Sequence, residues 1–245
     1  MAIQALLVIL AVLLVLLFLG VPISYAIAVS SLTAILSSID LNVAVLTAAQ
    51  RTFVGMSKFS LTAIPFFILA GNIMNQGGIA KRLVDFVMAI LGKMPGALLV
   101  TNIGTNALFG AISGSASAAA AAVGSMIRDG AEEQGYDPAV TAATKFDWKN
   151  LGICTLRALP SLSLIIVVIG GIIGGVFSAT EGSAIAVVYA LILAFCYRSI
   201  NLKSLWKIIV DSAKMSGMVV FLVGVSNILG WVMAFLQIPD AVAAA

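Results

Sequence analysis

Between Gly110 and Ser117 the sequence reads Gly-Ala-Ile-Ser-Gly-Ser-Ala-Ser, which sets Ser113, Ser115 and Ser117 around Gly114. Serine hydroxyls are neutral oxygens that can hold a small cation without the cost of burying a charge. Glycine lets the backbone come close to a ligand. Where such a stretch joins two helix ends, free N–H groups and the positive pole of the helix also favour a carboxylate. The other use of this composition is close packing of small residues between helices. Upstream, Asn102, Thr105 and Asn106 follow helical spacing and share one face. They could line the same site or hydrogen-bond to neighbouring helices, and the residues leave both uses open. No arginine lies in this stretch or its flanks, so nothing marks a two-pronged carboxylate clamp.

Other chemistries are absent. With no histidine there is no Ser-His-Asp triad, no HExxH zinc site and no imidazole relay. Cys154 and Cys196 form no CxxC pair and read as small apolar side chains. No constellation of nucleophile, base and metal ligands appears, so no enzyme is expected. A net charge of +3 and a pI near 9.0 might suggest nucleic acid, but the basic residues fall at the ends of apolar runs, where membrane topology accounts for them. Nucleic-acid binding is discarded.

The elements that position these residues follow from composition. Of 245 residues 62% are hydrophobic and 9% charged, with a mean hydropathy of +1.16. Soluble chains are about 25% charged. Residues 1–39, 59–80, 94–127, 158–180, 182–197 and 215–239 carry no Asp, Glu, Lys or Arg. These continuous runs predict an all-α polytopic membrane protein, because a barrel would show short alternating segments. Spans are expected at 2–19, 22–39, 59–78, 158–178, 182–197 and 215–237. The N-terminus lacks a basic region, and its apolar core is too long for a signal peptide, so it reads as an uncleaved span. Residues 40–58, with Arg51 and Lys58, predict an amphipathic helix at the outer surface. Trp148 and Trp206 read as interface anchors. Glu181 could relay protons, but the Ser-Ala-Thr-Glu-Gly spacing favours a solvated helix cap.

Charge sets the orientation. With the N-terminus outside, the connections 81–93, 128–157 and 198–214 are cytoplasmic and hold all but Arg51 and Lys58 of the 13 basic residues. This tally requires 94–127 to enter and leave on one side. The run is shorter than the ~40 residues two crossings need and is broken at Gly110–Ser117, so a re-entrant hairpin is expected, with one kinked helix as the alternative. A weak repeat is also present. Gly20-Val21 and the residues after it resemble Gly175-Val176 and its followers, and Asn72-Ile73-Met74 recurs as Asn227-Ile228-Leu229. Three crossings separate the copies, which inverts the second, a pattern common in secondary transporters. The second copy is incomplete, and the abrupt passage from Thr141–Thr144 into Lys145–Trp148 suggests missing sequence there.

Several stretches, in order, resemble one family. They are Ala63–Met74, Gly77–Phe86, Phe109–Ser115 and Phe177–Tyr189. The chain is similar over nearly all its length to the large membrane subunit of tripartite ATP-independent periplasmic (TRAP) transporters, of the DctM-like permease type. That resemblance implies an elevator-type ion transporter fold with inverted repeats, the second incomplete. It implies sodium-driven import of an organic acid such as a dicarboxylate across the inner membrane, with a soluble periplasmic binding protein and a small membrane subunit as partners. On it, Ser113, Gly114, Ser115, Asn102 and Thr105 are expected to hold sodium, and Ser113, Ser115, Ser117 and Asn106 to meet the substrate. Residues 1–58 would form scaffold helices, 59–144 half of a moving domain with the 94–127 hairpin, and 145–245 the cytoplasmic connection and the second repeat. Some family branches carry an acid four positions after the second tip serine, where this sequence has Ala119. By this resemblance Gly135–Thr144 begins the family's first unwound helix, which then breaks off, and the second hairpin with its unwound helix is missing from this sequence. A passive channel or a non-transporting membrane scaffold is the competing expectation.

Overall fold

Inside a bilayer a backbone must satisfy its own hydrogen bonds, and runs of Leu, Ile, Val and Ala do so most simply as helices. The computed structural model describes residues 2–91, 100, 102–107, 110 and 148–243, and among them every regular element is helical. In chain order these are α1 (Ala2–Phe18), α2 (Ile23–Ile35), α3 (Leu41–Met56), a 3-10 turn (Phe59–Thr62), α4 (Ala63–Gln76), α5 (Ile79–Leu91), α6 (Trp148–Ile173), α7 (Ala179–Cys196), α8 (Leu202–Phe235) and α9 (Ile238–Ala243). Among the described residues, three single helical segments are long and apolar enough to cross a membrane: Gly152–Ile173 within α6, α7 and α8. Helices α1, α2 and α4 have 17, 13 and 14 residues, shorter than the spans expected at 2–19, 22–39 and 59–78. Glycine-bearing turns follow α1 and α4, whereas α2 gives way to the glycine-free stretch Leu36–Asp40.

The chain folds as two units, Met1–Leu61 with Lys214–Ala245, and Thr62–Ala213. The first is centred on Ala5, Ile9, Ala34, Ile35, Ala44, Ile228, Val232 and Ile238. Helix α1 ends at Gly20, whose φ of 76° is open to glycine. The Gly20 N–H donates to Leu17 O and the Val21 N–H to Leu16 O, which closes the helix. Pro22 then starts α2, which lays Ala26, Ser30 and Ala34 inward at four-residue spacing. Small residues at that spacing let helices pack closely where lipid supplies no hydrophobic drive. Helix α3 crosses the C-terminal half of α8 at a glycine pair. A Cβ on Gly55 would lie 2.9 Å from Asn227 Cβ and 3.0 Å from Gly224 Cα. Beside this crossing Asn227 Nδ2 donates to Arg51 O at 2.8 Å, and the Arg51 guanidinium lies 5.2 Å from the Trp231 ring centroid.

In the second unit α4 lies along α7, α5 packs on α6, and α6 on α7. Its core joins Ala70, Ile73 and Met74 of α4 to Ala186, Ala190, Leu193 and Ala194 of α7. The α6–α7 turn repeats the closure at Gly20. Gly175 has φ 68°, its N–H donates to Ile172 O, and the Val176 N–H donates to Gly171 O. Ser178 then caps α7: its N–H donates to Glu181 Oε2 at 2.7 Å, while its Oγ accepts from the Glu181 N–H at 3.3 Å. Glu181 is thus the exposed cap that its spacing predicts.

Candidate functional site

The arm that leads toward Gly110 is helical over 102–107. Asn106 Nδ2 donates to Asn102 O at 2.9 Å and also to Asn102 Oδ1. The two amides therefore share a face and brace each other through an i, i+4 link. Thr105 is fully buried, and its Oγ1 has no hydrogen-bond partner among the described residues. Ser113, Gly114, Ser115, Ser117 and Ala119 lie outside the described residues.

Two polar features of the second unit escaped the sequence reading. The first is a set of oxygens between helices. Asn72 Nδ2 of α4 donates to Ser212 Oγ of α8 at 2.8 Å. On α6, Ser163 Oγ lies 2.6 Å from Tyr189 OH of α7, and Ser163 also donates to Pro160 O at 3.0 Å. Pro160 has no N–H to close the α6 ladder, and the serine beside it joins that interrupted stretch to α7. Ser161 Oγ is buried and has no partner among the described residues. The Pro-Ser-Leu-Ser spacing over 160–163 is the signal that could have marked this place.

The second feature is a cavity of about 540 Å³ lined by Lys81, Arg82 and Asp85 of α5, Leu156 and Arg157 of α6, and Tyr197 after α7, among others. Arg82 is held on two sides: its guanidinium lies 3.4 Å from the Tyr197 ring centroid and Nη1 donates to Gly78 O at 3.1 Å. Partial burial pushes the Asp85 carboxyl above its ordinary range, against the opposing pull of Lys81, Arg157 and Arg82. Three connections that the charge tally assigned to one side contribute to this one cavity. Nothing in a single sequence says which connections adjoin.

Comparison with known proteins places the chain. It matches the sequence model of the DctM component of the tripartite ATP-independent periplasmic transporter over residues 10–145 and 139–245. It is 39% identical to the uncharacterized protein YgiK of Salmonella typhimurium, over 91% of this chain and 66% of that protein. It is 29% identical to the C4-dicarboxylate TRAP transporter large permease protein DctM of Rhodobacter capsulatus, over 91% and 68%. To the ectoine TRAP transporter large permease protein TeaC of Halomonas elongata it is 29% identical, over 80% and 61%. The chain spans about two thirds of the length of these relatives. The YgiK alignment runs over 287 positions, more than the 245 residues present, so that relative carries residues with no counterpart here. Together the two matched stretches cover residues 10–245: this chain belongs to the DctM family of TRAP transporter large permeases.

Proposed function

We propose that the chain works in a sodium-coupled secondary importer that carries an organic acid across the bacterial inner membrane. Family membership carries this reading. Relatives are named for C4-dicarboxylate, ectoine, isethionate and 2,3-diketo-L-gulonate, cargoes that share a small acid-bearing skeleton. A periplasmic binding protein delivers the substrate, and a small membrane subunit completes the complex. The N-terminus faces the periplasm, as the distribution of Lys and Arg favours.

In this reading residues 59–144 move as an elevator against the scaffold of 1–58, and 145–245 begin an inverted second copy. The matching helix closures at Gly20 and Gly175 support the two-copy scheme. Sodium is held by Ser113, Gly114 and Ser115 with Asn102 and Thr105, and the acid by Ser113, Ser115, Ser117 and Asn106. The unpartnered Thr105 hydroxyl supports the cation role, since a sodium ion would supply the contact that the described residues leave unmade.

The test is uptake into proteoliposomes that also hold the partner proteins. An inward sodium gradient should drive accumulation of the acid, and collapsing it should stop accumulation. Ser115→Leu should abolish sodium-stimulated uptake and leave membrane insertion unchanged; undiminished uptake by that variant would remove the tip from the mechanism. A second reading, a membrane scaffold or passive channel, is favoured by the positions of YgiK that find no counterpart here. It predicts no flux, or flux indifferent to the gradient.

A further inference from the structure

The cavity between α5, α6 and the end of α7 has no role in transport as proposed above, yet it is built for an anion. Lys81, Arg82 and Arg157 face a single carboxylate, Asp85, around it. Arg82 is oriented in advance by the Tyr197 ring and the Gly78 carbonyl. A guanidinium offers five N–H donors, and this one spends a single hydrogen bond among the described residues. Tyr197 adds a buried hydroxyl without a partner among the described residues. Positive charge, preset donors and an idle hydroxyl together suit the oxygens of a phosphate.

A second observation says what carries that phosphate. Leu156 lines the cavity and is 73% exposed, and Ile153, Leu159 and Ile166 continue an exposed apolar flank along α6. A free phosphate would use the cavity alone, whereas a lipid would use the cavity for its headgroup and the flank for its acyl chains. We propose that this pocket binds the phosphate-bearing headgroup of an anionic phospholipid, with Arg82 and Arg157 as its main contacts. Basic pockets between membrane helices are suited to anionic headgroups. Asp85 opposes such an anion, and the partial burial that raises its carboxyl adds to the strain of keeping it ionised there. Simple snorkelling of Lys and Arg toward water would also put cations at a membrane edge, but the preference for anionic lipid that it gives is spread over all the surface cations and would survive the loss of these two arginines.

The experiment is native mass spectrometry of the full chain in maltoside micelles doped with phosphatidylglycerol, with phosphatidylcholine or with inorganic phosphate. Phosphatidylglycerol should bind more tightly than phosphatidylcholine by about tenfold or more, because phosphatidylcholine carries the same phosphate but brings a quaternary ammonium against Lys81, Arg82 and Arg157. The double variant Arg82→Gln, Arg157→Gln should lose that preference, and Asp85→Asn should strengthen it. Equal binding of the two lipids, or a preference unchanged in the double variant, overturns the proposal. Displacement of phosphatidylglycerol by an equal concentration of inorganic phosphate would assign the pocket to the free ion and overturn the lipid source. Should the double variant fail to fold, Asp85→Asn decides: no gain in phosphatidylglycerol binding overturns the site. None of these readings depends on transport.

Discussion

Asp85 lies among three cations and is still pushed toward its neutral form, because burial outweighs their attraction. Its folded value is raised above the ordinary 3.8, so the ionised carboxylate is a liability to the folded state at neutral pH, and the liability fades as pH falls through the raised value. Asp85→Asn should therefore raise the thermal midpoint at pH 7 and give no gain below about pH 4; a gain that persists at low pH would place its origin elsewhere. Single residues differed in how much the sequence disclosed. Glu181 was legible as a cap because a capping box is local, four residues long and marked by Ser178. Asn72 and Asn227 were legible as a matched pair but not in their partners, Ser212 and the Arg51 carbonyl. Arg82 and Tyr197 were not legible together, since no local spacing links residues on separate elements.

Helix ends show the same divide. Hydropathy placed spans at 158–178 and 215–237, whereas α6 begins at Trp148 and α8 at Leu202. Apolarity reports which residues suit lipid, but the flanks also hold good helix formers, Lys149, Leu151, Leu156 and Arg157 before one span and Leu202, Lys203, Leu205 and Lys207 before the other, which continue the same helix into charged sequence. At 1.5 Å per residue α8 is about 51 Å long, well beyond the ~30 Å hydrocarbon core. Its first turns, with Lys203, Lys207 and an exposed Trp206, extend past the apolar zone. The crossing of α3 and α8 depends on what is missing from its side chains. Gly55→Val forces a Cβ against backbone at Gly224 and against Asn227, so it should cost about 1–3 kcal/mol, read as a lower thermal midpoint in detergent. Gly230, with open space around it, is the control: Gly230→Ala should be neutral or mildly stabilising.

For the molecule as a whole, helical class and membrane residence were legible from composition, and the family from four motifs in order. Of the site residues expected from sequence, Asn102, Thr105 and Asn106 lie on a described helical stretch, while the serine tip lies outside the described residues. The YgiK alignment and the meeting of the two family matches at 139–145 make intact mass a decisive measurement. Protein isolated from its native membrane at 25.3 kDa would favour the scaffold reading, and a heavier one the transporter. The division of the chain also bears on its synthesis. Residues 62–213 form one unit from a single continuous stretch, whereas the other joins 1–61 to 214–245. Helices α1 and α2 can pack on each other as they emerge, but α3 must wait for its partner on α8 until the whole intervening unit has left the ribosome. During that interval the face of α3 around Gly55 has no Gly224 to receive it, which leaves that face for a chaperone or insertase to cover.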